Sequence, residues 1–381
     1  MDHLLTEEQL EVKRTIRDFA ENEIRPSVAA RDESGEFPAE ICKKLGELGF
    51  MGINTPEEFG GAGMDAVTYA VVVEELSRVD PSVGVIISVN NSLICYALEK
   101  FGTAEQQEKW LRPLAEGTML GAFCLTEPEA GSDAAAVKCT AKRDGKEWVL
   151  SGTKSFITNG DSADMYVVFA RSEKGSRNAH GVSAFLMAAD TPGIRKGKHE
   201  KKMGIRSSDC IEIQFEDARI PAANLVGEEG EGFKVAMAAL DSGRIGIAAQ
   251  AVGLAQGALE AAVAYSKERV QFNRPICEFQ AIQFKLADME MLTQAARLLI
   301  YNAAVKKDSG QRFTHEAAIA KLFASHMVMK VTQEALQIHG GNCYLKDYPV
   351  ERMLRDAKVT EIYEGTSEIQ RFIISRNLLS A

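Results

Sequence analysis

The segment VKCTAKRDGKEWVL, residues 137–150, decides the fold class of this 381-residue chain. Two short runs with alternating apolar and polar residues, 137–141 and 148–150, flank the dipeptide Asp144-Gly145. Asp-Gly between alternating runs is typical of a β-hairpin, because these two residues tolerate the positive φ angles of a tight turn. The segment therefore predicts a pair of antiparallel strands in the middle of the chain.

Further β-rich runs surround this hairpin and are separated by turn residues. With the two hairpin runs they lie at residues 122–125, 137–141, 148–150, 165–170, 182–187 and 211–215. We therefore expect an antiparallel β domain over residues 121–231. The sequence does not determine which strands pair.

The chain before this region follows a helical pattern. Thr6 and Gln9 have the spacing of a capping box, with Val12 and Ile16 behind them on one helix face. Thr103 and Gln106 have the same spacing. Residues 1–120 are therefore expected to form an all-helical N-terminal domain.

Long apolar helical periods return after Gly232. They run over residues 233–269, then from Ile282, and then from Ile319 to Leu336. We expect a C-terminal four-helix bundle over residues 232–381. The predicted fold class is a multidomain α+β protein with the order helices, strands, helices.

Composition excludes several classes of function. The 44 basic and 54 acidic residues give a formal charge of −10, which argues against a nucleic-acid-binding or acidic-membrane surface. No window of about 18 apolar residues and no signal-peptide pattern is evident, so we expect no membrane span and a cytoplasmic or organelle-matrix location. The seven cysteines are scattered and expected to be reduced, and no metal site is expected. No Rossmann glycine pattern or Walker loop is present.

The C-terminal segment EIYEGTSEIQR, residues 361–371, is the best candidate for chemistry. Glu361 and Glu364 precede a predicted helix cap at Thr366, and Gly365 would let a ligand approach the backbone. Polar, glycine-bearing loops are also expected at residues 125–133, 154–160 and 337–341. Each loop alone could be a simple turn. Asn90 and Asn91, on an apolar helix, could be satisfied core groups or could line a pocket.

These segments together resemble the acyl-CoA dehydrogenase family over essentially the whole chain, and most of all its short-chain (butyryl-CoA) branch. The resemblance is carried by residues 126–133, 156–160, 203–206, 215–217, 219–221, 269–272, 337–341, 355–358 and 362–370. It implies the helix, strand, helix architecture derived above and a homotetramer.

The resemblance also implies FAD as the cofactor and assigns residues to it. The flavin ring would be held by Phe123, Leu125, Thr126, Phe156, Ile157 and Thr158. Arg269, Phe272, Gln280, Gln337, Ile338, Gly340 and Gly341 would reach the FAD of a neighbouring subunit. Thr366, Ser367 and Glu368 would meet the pyrophosphate and adenosine part.

For the substrate, the resemblance implies that Ser132, which also lies by the cofactor, contacts CoA together with Asp241 and Arg244, and that Tyr363 and Gly365 flank the acyl group. Arg244 could instead merely pair with Asp241, and Arg269 could be a solvated cation at a helix end.

Glu364 matches the family's base. It would take the α-proton of a short-chain acyl-CoA while a hydride passes from the β-carbon to flavin N5, giving a trans-2-enoyl-CoA and sending electrons to an electron-transfer flavoprotein. Some members carry the base at the position of Gly243, and glycine cannot act as one. Without this resemblance, Glu364 would be read as a charge favouring a helix N-terminus.

Other acyl groups and another class of function stay open. The substrate could be branched, cyclic or dicarboxylic, and the protein could be a non-catalytic flavin or acyl-CoA binder. Three residues depart from the family pattern: Phe156 replaces a frequent Trp, and Glu129 and Cys343 replace usual glycines. Residues 83–98, with Asn90 and Asn91, are expected to set the depth of the acyl pocket.

Overall fold

The structure is a computed structural model, and it describes residues 2–172 and 179–380. Its first part is helical, as the sequence predicts. The Thr6 side chain accepts from the Gln9 amide and the Gln9 side chain accepts from the Thr6 amide; Thr103 and Gln106 form the same box. The helices are α1 Glu7–Phe19, α2 Val28–Ser34, α3 Ala39–Glu47, α4 Ala66–Val79, α5 Pro81–Ser88, α6 Tyr96–Phe101, α7 Ala104–Gln106 and α8 Arg112–Ala115. A π-helical stretch, Val89–Cys95, joins α5 to α6.

Asn90 and Asn91 lie in this π-helical stretch and are satisfied core groups. The Asn90 amide donates to the carbonyls of Met51 (2.9 Å) and Leu114 (3.1 Å). Asn91 accepts from the Ile53 amide (2.7 Å) and donates to two further carbonyls at 3.0 Å. The Asn90 carbonyl oxygen also accepts from the Gly121 amide of the middle part at 3.2 Å. Neither asparagine lines the cavity described below, so the expectation that they help to set the acyl pocket is not met.

The middle part is a β-sheet. Its strands are β1 Gly121–Cys124, β2 Thr140–Asp144, β3 Glu147–Thr158, β4 Met165–Arg171, β5 Val182–Ala188, β6 Ile194–His199, β7 Cys210–Pro221 and β8 Leu225–Val226. Over the described residues the sheet order is β6-β7-β3-β2-β4-β5-β8, and β1 pairs with β4. The predicted hairpin is present as β2 and β3, with Asp144 opposite Glu147. The prediction of a β domain is confirmed.

Three details of the sheet differ from the sequence expectation. The β1–β4 pair is parallel, because the chain makes a long excursion through β2 and β3 before it returns beside β1. Strand β6 was missed because it is an exposed, basic edge strand without apolar alternation. Residues 154–158 are not a loop: they form the bulged end of β3, where the register on β7 shifts between Lys154 and Ile157.

The C-terminal part is helical: α9 Gly232–Glu268, α10 Gln280–Asp308, α11 Thr314–His339, α12 Val350–Ala357 and α13 Ser367–Leu379. A short hairpin, β9 Val270–Gln271 and β10 Arg274–Pro275, follows α9. Helices α9, α10 and α11 pack together, and α13 packs on α11. The expected loop at residues 337–341 is instead the last turn of α11 followed by the 3-10 turn Gly340–Tyr344.

Helix α9 also packs closely on α4 and so joins the N-terminal and C-terminal parts. A Cβ at Gly253 would lie 2.1 Å from the Glu74 carbonyl oxygen, and one at Gly257 would lie 2.3 Å from that of Arg78. These glycines therefore allow the two backbones to approach.

Two helical segments, Pro81–Phe101 and Gly232–Glu268, are long and apolar enough to cross a membrane. Their most apolar windows are 94% and 72% buried inside the protein, as is usual for core helices.

Candidate active site

A cavity of about 270 Å³ lies where the sheet, the π-helical stretch, the start of α9 and the turn before α13 meet. It is lined by apolar side chains with a few polar groups, which is typical of a small-molecule site. The lining residues are Val85, Val89, Leu93, Phe123, Leu125, Thr126, Gly131, Ser132, Asp133, Ala134, Ala135, Phe156, Thr158, Phe233, Met237, Leu240, Arg244, Tyr363, Glu364, Gly365 and Ile369.

The β wall of the cavity is held by a buried ion pair. The Lys154 ammonium, which is 0% exposed, donates to Glu127 (2.8 Å) and to the Leu125 carbonyl (2.9 Å). Glu127 also accepts from the Lys138 and Cys139 amides at 2.5 and 2.9 Å. These bonds fix the loop after β1 to the end of β3. Phe156 stands on the bulge with a φ of 57° and is 70% exposed.

The opposite wall is the turn Tyr363-Glu364-Gly365. Glu364 has a φ of 52° and Gly365 a φ of 94°, so two successive residues are left-handed. A Cβ at Gly365 would lie 2.7 Å from the Gln370 amide nitrogen, which makes glycine the fitting residue there. Thr366 caps α13, as predicted, by accepting from the Ile369 amide. The turn aims the Glu364 side chain into the cavity.

The carboxylate of Glu364 is in an unusual environment. Its Oε2 atom is buried and has no hydrogen-bond partner among the described residues. Burial raises the pKa of Glu364 to about 7, while the cations Lys321 and Arg244 act in the opposite direction. The Glu364 amide also donates to no backbone or side-chain oxygen within residues 2–172 and 179–380. A base and a free N–H donor therefore sit on one residue.

Gly243 lies directly against this carboxylate. A Cβ at Gly243 would lie 2.0 Å from Glu364 Oε2 and 2.8 Å from Leu93 Cδ2. The space that Glu364 occupies therefore exists because residue 243 has no side chain.

Arg244 is buried and lines the cavity, and it is also ion-paired with Asp241. The second oxygen of Asp241 accepts from the Thr314 hydroxyl at 2.6 Å. The Arg244 Nε atom has no partner among the described residues. Arg244 is therefore paired with Asp241 and still has one nitrogen, Nε, without a partner among the described residues.

The apolar end of the cavity is formed by Val85, Val89 and Leu93, within the segment expected to set pocket depth. Tyr363 closes this side because its hydroxyl donates to Gln250, whose amide donates to the Pro81 carbonyl at 2.8 Å.

Several predicted site residues lie away from the cavity. Ile157 is buried in the sheet core, and Ile338 is buried in α11. The side chains expected near a neighbouring subunit's cofactor are exposed: Arg269, Phe272, Gln280, Gln337, Gly340 and Gly341. Thr366, Ser367 and Glu368 start α13 beside the cavity without lining it. Glu129 is exposed and pairs with Lys138.

Other lining residues were missed. Phe233, Met237 and Leu240 form an apolar stripe at the start of α9, and that stripe was the available signal. Over the described residues, no cluster of three histidine, cysteine or acidic side chains could hold a metal ion.

Comparisons with known proteins identify the family. Models of the acyl-CoA dehydrogenase N-terminal, middle and C-terminal domains match residues 6–118, 122–218 and 230–379. The chain belongs to the acyl-CoA dehydrogenase family, and it is therefore an oxidoreductase and a flavoprotein that acts on acyl-CoA.

Individual relatives are similar over nearly the whole chain. The short-chain specific acyl-CoA dehydrogenase of Bos taurus mitochondria is 51% identical over 97% of this chain and 90% of its own. The structure of butyryl-CoA dehydrogenase from Megasphaera elsdenii is 48% identical, with a TM-score of 0.97 over 98% of this chain and 99% of its own. A structure from work on the electron transferring flavoprotein of Acidaminococcus fermentans is 51% identical, with a TM-score of 0.98 over the full length of both chains.

The residues of the cavity fit the flavin of this family. One wall offers the hydroxyl side chains Thr126 and Thr158 and the aromatic rings Phe123 and Phe156, and the other offers the unpartnered Glu364 carboxylate. A flat ring system with polar edges, such as a flavin, can therefore bind between these two walls.

Proposed function

We propose that the protein removes two hydrogens from a short-chain acyl-CoA to give a trans-2-enoyl-CoA, with Glu364 as the base. The observation that carries this proposal is the Glu364 carboxylate. It lies in the cavity, its Oε2 atom has no hydrogen-bond partner in the described part of the chain, and burial raises its pKa to about 7. A general base works best when its pKa is near the operating pH. Glu364 at its usual pKa would be too weak for a carbon acid.

The backbone of the same residue polarises the substrate. The Glu364 amide, which has no partner among the described residues, donates to the thioester carbonyl oxygen and stabilises the negative charge that develops there. The α-proton then moves to the Glu364 carboxylate, which lies on the same turn. Bound FAD supplies, at N5, the acceptor for the hydride that leaves the β-carbon.

The cofactor is held by the β wall. Phe123 on β1, Leu125 and Thr126 directly after it, and Phe156 and Thr158 on β3 would contact the flavin ring. Ser132 also lines the cavity and would contact both FAD and CoA. The carbonyl and hydroxyl groups of these segments suit a heterocycle with several ring nitrogens and oxygens. Thr366, Ser367 and Glu368 meet the pyrophosphate part at the N-terminus of α13.

The cofactor site is completed by a second copy of the chain in a homotetramer. Support comes from the exposed tip of the β9–β10 hairpin, where Phe272 is 87% exposed, and from exposed apolar residues on the bundle, including Phe284, Met291 and Phe372. These apolar side chains offer surface that a second copy of the chain can cover. Arg269, Gln280, Gln337, Ile338, Gly340 and Gly341 supply the remaining contacts to the neighbouring FAD.

The acyl group is short and uncharged. The aliphatic side chains of Val85, Val89 and Leu93 line the cavity, and Arg244, the one Lys or Arg of the described lining, is already paired with Asp241. A second carboxylate on the acyl group would therefore find no unpaired cation there, which disfavours a dicarboxylic acyl group. The Tyr363 bond to Gln250 limits the depth. Arg244, with Asp241 behind it, and Ser132 contact the CoA part, while Tyr363 and Gly365 flank the thioester.

The electrons pass to an electron-transfer flavoprotein, as the similarity to the Acidaminococcus fermentans structure supports. The test is a series of straight, branched and dicarboxylic acyl-CoA thioesters mixed anaerobically with the FAD-loaded protein. Loss of flavin absorbance is expected to be fastest with butyryl-CoA. Fastest reduction by a branched or dicarboxylic thioester would overturn the substrate assignment, and hydrogen peroxide release in air at the turnover rate would overturn the acceptor.

A further inference from the structure

Lys321 is a buried lysine that the mechanism above does not use. It lies on α11 between small residues such as Ala317 and Ala324, and it is 0% exposed. Its ammonium group donates to the Gly365 carbonyl at 2.7 Å. Burial lowers the pKa of Lys321 to about 8, so the group still carries its charge at neutral pH. Burying a charged group in a protein core lowers the stability of the fold unless the group is paired and hydrogen-bonded.

The bond from Lys321 acts on the turn that presents Glu364. The Gly365 carbonyl accepts a second bond from the Gln370 amide at 2.8 Å, and the same amide donates to the Glu364 carbonyl at 3.3 Å. A left-handed non-glycine residue costs about 1–2 kcal/mol relative to a right-handed one. The side chains of Lys321 and Gln370 therefore hold the turn in this conformation, and of the two only Lys321 is charged.

The two cations that act on Glu364, Arg244 and Lys321, differ in how far their charge is compensated by a neighbouring carboxylate. From α9, Arg244 faces the carboxylate, but Asp241 pairs with it and neutralises much of its field. From α11, Lys321 faces the carboxylate, and no carboxylate of the described residues lies within salt-bridge distance of its ammonium group. Lys321 is therefore the cation near Glu364 whose charge is not already compensated by direct contact.

The other titratable groups nearby leave this arrangement unchanged. Tyr69 of α4 and Tyr363 are buried phenols whose pKa values are raised, so both stay neutral at physiological pH. Glu361 and Glu368 act on Lys321 only through space and favour its charged form.

We propose that Lys321 is a positioning residue for Glu364: it clamps the Gly365 carbonyl and supplies the positive charge that keeps the Glu364 carboxylate ionised. This rests on the proposed role of Glu364 as the base. Lys321 is not among the described residues that line the cavity; it acts through the turn and through its electric field.

The test measures the ionisation of Glu364 directly and without turnover. The infrared band of the protonated Glu364 carboxyl is identified by its absence in Glu364→Gln and is then titrated in the wild-type protein, in Lys321→Met and in Lys321→Gln. Removing the cation disfavours the carboxylate, so the midpoint is expected to rise by about one pH unit in both variants. The acidic limb of kcat/KM for butyryl-CoA is expected to move with it, and kcat to fall more than KM rises.

The matched control is Lys307→Met. Lys307 is a half-buried lysine on α10 whose pKa is also lowered to about 8 by desolvation. It is bonded to Ser242 at 2.9 Å, and Glu364 is not among the charges that act on it. Its replacement is expected to leave the Glu364 midpoint in place.

An unchanged midpoint in the Lys321 variants, or an equal shift in Lys307→Met, overturns the inference. If Lys321→Met does not fold, Lys321→Gln carries the same test, because it keeps a donor and removes the charge. Failure of the proposed function is distinct: the wild-type flavin would not be reduced by any acyl-CoA, whatever the infrared titration gives.

Discussion

Adding one methyl group at Gly243 is expected to disable the enzyme while leaving its fold intact. In Gly243→Ala the new Cβ would lie 2.0 Å from Glu364 Oε2, whereas non-bonded Cβ atoms do not approach other heavy atoms closer than 3.0 Å. The carboxylate must therefore move by about 1 Å. A misplacement of that size can lower the rate about 100-fold, so kcat is expected to fall by about that factor.

The free energy of unfolding of Gly243→Ala, in contrast to its rate, is not expected to fall. Glycine in a helix interior is less stable than alanine by about 0.5–1 kcal/mol, and the atom that must yield is the end of a side chain. Urea unfolding should therefore give a free energy equal to or slightly above that of the wild type. The rate is measured by anaerobic flavin reduction with butyryl-CoA.

A control separates the two contacts of the new methyl group. Leu93→Ala in the Gly243→Ala background removes the 2.8 Å contact with Leu93 but keeps the one with Glu364. The double variant is expected to remain slow. A single variant that turns over within about threefold of the wild type would refute the assigned position of Glu364, and recovery in the double variant would place the cause at Leu93.

Three further predictions concern titration and the buried polar groups. Because Glu364 has a raised pKa of about 7 and must be ionised to act, kcat/KM is expected to be flat above that pH and to fall tenfold per pH unit below it; a limb near pH 4.5 would contradict this. Lys154→Met leaves Glu127 buried without its cation and should cost about 3 kcal/mol in urea unfolding, whereas Lys138→Met, at an exposed pair, should leave the urea midpoint close to that of the wild type. Asn91→Leu removes the side-chain hydrogen bonds to three buried backbone groups and should cost about 2–4 kcal/mol, with the order of acyl-CoA preference unchanged in the flavin-reduction assay; a changed order would show that Asn91 lines the pocket.

The order of elements could be predicted because it depends on local pattern. The hairpin at Asp144-Gly145 and the Thr6 and Thr103 capping boxes each involve residues that are close in sequence, and all are present. In the hairpin, Asp144 still pairs with Glu147, so the two loop residues are Gly145 and Lys146, and Gly145 supplies the positive φ. The parallel β1–β4 pair and the short strand β8 could not be predicted, because both depend on partners far along the chain. Strand β6 was missed because an edge strand needs no apolar face.

The site was predicted in part for the same reason. Glu364 and Thr366 belong to one local motif. Gly243, Lys321 and Gln250 contact the turn at Tyr363–Gly365 from helices that are 43 to 121 positions away in sequence. These contacts can be seen only in the folded structure. Lys321 did leave a signal, since a lysine among alanines on a core helix face is unusual, but its bonding partner could not be read from that pattern.

The central claim is that the Glu364 carboxylate takes the α-proton. The most direct measurement compares the wild-type protein with Glu364→Gln, both loaded with FAD, after anaerobic mixing with butyryl-CoA. We expect rapid loss of flavin absorbance in the wild type and a rate at least about 10³-fold lower in the variant, with the thioester still bound. Reduction of the Glu364→Gln flavin at a rate close to that of the wild type would contradict the claim.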